Sequence, residues 1–171
     1  MPSDETYGPS PIYSFNNKNK TPENIQNYSI TYHNNAVVEK MFKSINRLAQ
    51  DKIDEFAIFN LVKNCTVKPT FNTREDGSKV TYLKLNTFRA NQDNKLQVLT
   101  KITDFNSSDI DFGDTISKYG LLVPMIHISK IYFGPHGSSE YGASLQTKVV
   151  RFQFKRISDH IPDFPSSDEV E

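Results

Sequence analysis

Residues 130–154 read KIYFGPHGSSEYGASLQTKVVRFQF. Three of the seven glycines in the chain, Gly134, Gly137 and Gly142, fall within nine residues here, flanked by Tyr132, Phe133, Tyr141, Phe152 and Phe154. A glycine-rich loop after an apolar strand has two readings that lead to different folds. A phosphate-cradling loop ends in Gly-Lys-Ser/Thr and opens a helix. GPHGSS does neither. What remains is a hairpin turn, in which glycine accepts positive φ and proline sets the entry.

Outward from that hairpin, the pattern of the chain has period two. Cys65–Phe71, Lys79–Phe88, Leu96–Phe105, Leu121–Phe133 and Ser144–Phe154 alternate as strands, separated by turn-rich pieces such as REDGS, ANQDN and NSSDIDFGD. Five strands in this span predict a small antiparallel barrel or sandwich. Ahead of them, Tyr28–Tyr32 has the β-branched and aromatic character of a short strand. Asn35 then offers an N-cap, and Val38, Met41, Ile45 and Leu48 recur at helical spacing. The spacing predicts one amphipathic helix over about 36–53, its stripe packed on the core.

Three regions follow. Residues 1–26 are rich in Pro, Asn and Ser and read as a flexible arm, residues 27–157 as the folded domain, and residues 158–171 as a flexible acidic tail. At 171 residues, with 36% apolar and 12% aromatic content, the chain suits one domain that hides roughly two-thirds of its unfolded surface. Formal net charge is zero, but its distribution is uneven. Residues 60–156 hold fourteen Lys/Arg against eight Asp/Glu, while Asp159, Asp163, Asp168, Glu169 and Glu171 stand in the tail with no Lys or Arg.

Reactive constellations are missing from the pattern. The four histidines are scattered, and neither C-x-x-C nor H-E-x-x-H occurs. Cys65, the single cysteine, sits in an alternating stretch and reads as a small core residue in a reducing compartment. The sequons at Asn27, Asn64 and Asn106 read as chance in an Asn-rich chain. The expectation is a non-enzymatic protein with no cofactor and no metal, soluble and intracellular, since neither a leader nor a membrane-length apolar run is present.

The strand KVTYLKLNTFR (79–89) points to binding. One face presents Thr81, Leu83, Leu85 and Thr87; the other presents Val80, Tyr82, Lys84, Asn86 and Phe88, with Lys79 and Arg89 at the ends. The second face is either a half-covered sheet surface under a loop or helix, or a surface where bases stack on rings while cations follow phosphates. Lys68, Lys101, Lys130, Lys148 and Arg151 add cations on neighbouring strands, and Tyr132, Phe133 and Tyr141 add rings around the hairpin loop. Together they favour a groove for single-stranded nucleic acid. Double-helix readers are disfavoured because no helix carries a basic, base-reading face.

YSITYHNNAVVEKMFKSINRLAQDKI, EDGSKVTYLKLNTF, LQVLTKITDF, IHISKIYF and GASLQTKVVRFQF, followed by an acidic tail, occur in an order that resembles the replicative single-stranded-DNA-binding proteins of podophages and their counterparts in large nucleocytoplasmic DNA viruses. The resemblance spans about residues 27–171. It implies an OB-fold, a five-stranded antiparallel Greek-key barrel with one appended amphipathic helix, whose groove takes single strands. It also implies a mobile acidic C-terminus that competes with DNA and recruits replication proteins. The tail here is short and ends Val170-Glu171 where the phage proteins end in an aromatic; Phe164 is the ring available in its place. The expected partners are single-stranded DNA, replication proteins through the tail, and a second copy of the chain in a homodimer, with no membrane. If viral, it would work in host cytoplasm or nucleus at sites of DNA replication. The alternative is a structural or scaffolding protein of a virion or similar assembly, whose exposed rings are interface anchors.

Overall fold

In the hairpin of residues 119–156, two long arms alternate inward and outward. Leu122, Val149, Phe152 and Phe154 are buried, whereas Met125, His127, Lys130 and Lys148 are exposed. This is the period of a sheet with one face on a core. The computed structural model describes residues 1–13, 20–59, 65–89, 96–136 and 140–157, with the backbone alone at 135, 136, 140 and 141.

Along the chain the elements are β1 (Asp4–Tyr7), β2 (Ser10–Tyr13), β3 (Ile25–His33), α1 (Ala36–Ile58), β4 (Asn72–Thr73), β5 (Lys79–Lys84), β6 (Thr87–Arg89), β7 (Leu96–Val98), β8 (Lys101–Thr103), β9 (Tyr119–His136) and β10 (Glu140–Arg156). They form sheets of order β1-β9-β10-β8 and β2-β3-β5-β4, with a β6-β7 ribbon. Two junctions close the sheets on each other. The Thr6 hydroxyl donates to the Thr31 carbonyl at 2.8 Å, linking β1 to β3, and Leu85 bridges Val149, linking the end of β5 to β10. The fold is mainly β, an OB-fold barrel with one helix.

The barrel interior holds Ile30, Tyr32, Leu83, Leu85, Ile102, Leu122, Val149, Phe152 and Phe154, closed at one end by Val38 and Phe42 of α1. A second cluster packs Ala49 and Ile53 of the helix on Cys65, Val67 and Ala143. Asn35 caps α1, its side chain accepting from Val37 N and Val38 N at 3.0 Å each.

Several expectations need correcting. The first residues are not an arm, because β1 pairs with β9 and β2 pairs with β3. The helix runs five residues past 53, and its buried stripe is Val38, Phe42, Ala49 and Ile53, leaving Leu48 65% exposed. At about 100° per residue Val38, Phe42, Ala49 and Ile53 fall within about 60° of one another, whereas Leu48 lies about 80° to the other side of Val38, off the buried face. Cys65–Phe71 is no strand but a single parallel bridge at Val67. The expected strands at 79–88 and 96–105 are each broken, into β5 and β6 at Leu85-Asn86 and into β7 and β8 at Leu99-Thr100. One pairing, β10 with β8, is parallel, so the barrel is not wholly antiparallel.

Candidate nucleic-acid interface

The β9–β10 hairpin supplies most of the floor. Cross-strand partners Lys148 and His127, Gln146 and Lys130, and Ser144 and Tyr132 place six outward side chains in two rows. Two bulges interrupt the pairing, with Ser129 the extra residue on β9 and Val150 on β10. Each bulge bends its strand, and both sit where the hairpin wraps past β5. A cleft of ≈ 520 Å³ opens at this bend, with Asn27, Asn86 and Lys84 facing His127, Lys130 and Lys148 across it. A second cleft of ≈ 220 Å³ adjoins it, sharing Lys84, Gln146 and Thr147, and is walled by Lys68, Pro69, Thr70 and Tyr82. Together they make one trough.

Its far wall hangs from the helix. Gln50 of α1 donates from Nε2 to the Cys65 carbonyl (3.0 Å) and accepts at Oε1 from Val67 N (2.7 Å), while the Thr70 hydroxyl donates to Asn46 Oδ1 (2.7 Å). Lys68 N donates to the Ala143 carbonyl at 2.8 Å. These bonds hold residues 65–70 without a strand ladder and set Lys68 on the rim. At the other end, the buried Thr100 hydroxyl donates to the Val149 carbonyl (2.6 Å) and accepts from Asn86 N (2.8 Å). That one side chain ties the wall at Asn86 to the floor at β10.

The predicted alternation in β5 holds at the trough: Leu83 and Leu85 are buried, while Tyr82 is 51% exposed and Lys84 is exposed. Tyr132 lies on the hairpin face next to Ser144, 48% exposed, over Gly134. A Cβ at Gly134 would come within 2.6 Å of that ring, so glycine is what lets the tyrosine lie along the strand. Among the described residues, no ion pair engages Lys68, Lys84, Lys130 or Lys148, and no carboxylate lines either cleft.

The other candidates lie elsewhere. Lys79 pairs with Glu39 and sits 5.5 Å from the centre of the Phe71 ring, so its charge serves the helix–sheet junction. Lys43 bonds the same carboxylate, and these two ammonium groups hold Glu39 below the usual carboxylate range. Arg89 donates from Nη2 to the Ile25 carbonyl, tying β6 to the start of β3. Phe88 is exposed on the β6–β7 ribbon, two residues beyond Asn86. Phe133 shares the opposite face of β9 with Ile131, its cross-strand partner being the buried Ala143. Lys101 pairs with Asp109 at 3.5 Å, and Arg151 donates to Thr103 Oγ1 at 3.2 Å, both further along β8 and β10. The side chain of Tyr141 and the tail residues Asp159, Asp163, Phe164, Asp168, Glu169 and Glu171 lie outside the described residues.

Asn27, His127 and Gln146 line the trough but were not among the sequence candidates, and Asn86, which also lines it, stood on the candidate face of 79–89 without being named a binding residue. For Asn86 and Gln146 a signal existed, since each is two residues from a lysine on the same face of an alternating strand. His127 and Asn27 enter through strand pairing across the barrel, which no local pattern announces.

No protein-family model matches the chain, and no curated protein matches it. Among solved structures it is similar to gp2.5, a single-stranded DNA binding protein encoded by bacteriophage T7, with a TM-score of 0.56 at 13% sequence identity, over 99% of this chain and 96% of that one. At that identity the likeness is one of fold.

Proposed function

We propose that the chain binds single-stranded DNA in this trough, with little sequence preference and without catalysis, and that it serves viral replication, recombination or repair. The observation that carries this reading is the trough itself, with four lysines free of carboxylate partners among the described residues and Tyr82 and Tyr132 exposed beside them. Cations at the rim neutralise phosphates, and exposed rings accept any base by its π-face. The amides of Asn27, Asn86 and Gln146 can hydrogen-bond whichever base edge is presented. The fold-level likeness to a phage single-stranded DNA binding protein supports the same reading.

The five carboxylates of residues 158–171, tethered to the end of β10, compete for the same lysines and meet replication proteins when DNA displaces them. The test is fluorescence anisotropy of labelled oligo-dT at low salt, with duplex DNA as competitor. The proposal expects saturable binding that duplex displaces poorly. An oligonucleotide that does not shift would favour the assembly or scaffolding role instead.

A further inference from the structure

The outer face of the β9–β10 hairpin continues past the trough. Beyond the Val150 bulge, Arg151 and Gln153 of β10 face outward beside their cross-strand partners Met125 and Val123. These four line a separate cavity of ≈ 350 Å³ together with Ser107, Pro124 and Met1, whose N-terminal ammonium donates to the Pro124 carbonyl at 3.0 Å. Met125 is 55% exposed, a polarizable platform on the same row as His127 and Lys130. Arg151 has its Nη2 on Thr103 Oγ1, but its Nε is buried with no hydrogen-bond partner among the described residues. Neither nearby carboxylate serves it. Asp104 accepts from the loop N–H groups of Asn106 and Ser108, and Asp109 pairs with Lys101. Arg151 as a whole is half-buried, and a guanidinium with donors left over after the Thr103 bond takes an anionic oxygen in a charge-assisted hydrogen bond.

We propose that the bound strand runs on along this face, past the trough, to a second subsite in which Arg151 holds one phosphate and Met125 supports a base. The inference rests on the proposed single-strand binding and concerns its extent. From Lys148 to Gln153, β10 rises roughly 15 Å at about 3.3 Å per residue. That adds two to three nucleotides if a strand is drawn out to about twice the 3.4 Å duplex rise. On the same scale the β10 stretch that lines the trough, Ser144 to Val150, takes about three nucleotides, so a four-nucleotide oligomer is spent on the trough while a twelve-nucleotide one reaches Arg151.

The full chain is therefore titrated with (dT)4 and (dT)12, as wild type and as Arg151→Gln, Arg151→Lys and Met125→Ala. Arg151→Gln is expected to weaken (dT)12 about five- to tenfold, lower its salt slope by about 0.7, and leave (dT)4 unchanged, with Arg151→Lys recovering part of the loss. Met125→Ala is expected to weaken (dT)12 only. Unchanged binding of (dT)12 by Arg151→Gln, or equal losses for both lengths, overturns the subsite while the trough stands. Wild-type protein that binds neither length sinks the underlying reading instead. Should Arg151→Gln not fold, Met125→Glu carries the same comparison at an exposed position: a loss confined to (dT)12 supports the subsite, and no loss overturns it.

Discussion

Lys84 lines both clefts, so its removal gives the sharpest electrostatic test of the trough. Four lysines face the bound strand in the proposed complex. At about 0.7 counterions released per phosphate contact on single strands, log K should fall with log salt at a slope of about −3. Raising salt from 50 to 200 mM then weakens oligo-dT binding about fiftyfold. Lys84→Gln removes one contact, so its slope should be about −2 and its loss over the same range about twentyfold. The affinity gap between the two proteins narrows about 2.5-fold as salt rises. Because Lys84 is exposed and makes no ion pair among the described residues, stability should change by no more than about 0.5 kcal/mol. Anisotropy titrations at four salt concentrations, with thermal melts as control, measure all of this. Parallel salt lines for wild type and variant would show that Lys84 touches no phosphate.

Tyr82→Ala and Tyr132→Ala should each cost about 1–3 kcal/mol of oligo-dT binding with little change in Tm, and Phe88→Ala, outside the clefts, should cost less. Deleting residues 158–171 should tighten binding several-fold at low salt and hardly at all at high salt, where the Debye length of about 8–10 Å near physiological ionic strength has shrunk further; equal low-salt affinities would mean the tail does not compete. Burial pushes the Tyr32 hydroxyl up to about 12, and it donates to the Pro2 carbonyl at 2.8 Å. A phenol raised in the folded state contributes stability that is full below its unfolded value near 10 and is lost as pH climbs toward 12. Denaturant melts should therefore show an alkaline loss over that window that Tyr32→Phe reduces.

What the sequence made legible and what it hid divide along physical lines. Alternation in KVTYLKLNTFR separated Leu83 and Leu85 from Tyr82 and Lys84 because a strand's side-chain period is strict and its core face is apolar. For Lys148 the same rule, counted back from Phe152 and Phe154, gives the inward face, and it is the extra residue Val150 that turns it outward. Nor could the rule show where a cation's charge is spent. Lys79 meets Glu39 from forty residues away and Arg89 meets the Ile25 carbonyl from sixty-four, so both looked free. Residues 1–13 carry no apolar period and still form strands, because the edges of β9 and β3 supply partners for their backbone groups. Thr100 is equally silent in sequence, and its role exists only once Asn86 and Val149 are brought together.

The most direct test of the central claim is where oligo-dT touches the protein. In backbone and side-chain NMR spectra recorded across a titration with (dT)12, the largest shifts should fall on Tyr82, Lys84, His127, Lys130, Gln146 and Lys148, with the outer residues of α1 such as Lys40 and Asp51 unmoved. Shifts concentrated on α1 or on the β1 edge, with the trough residues unchanged, would contradict it.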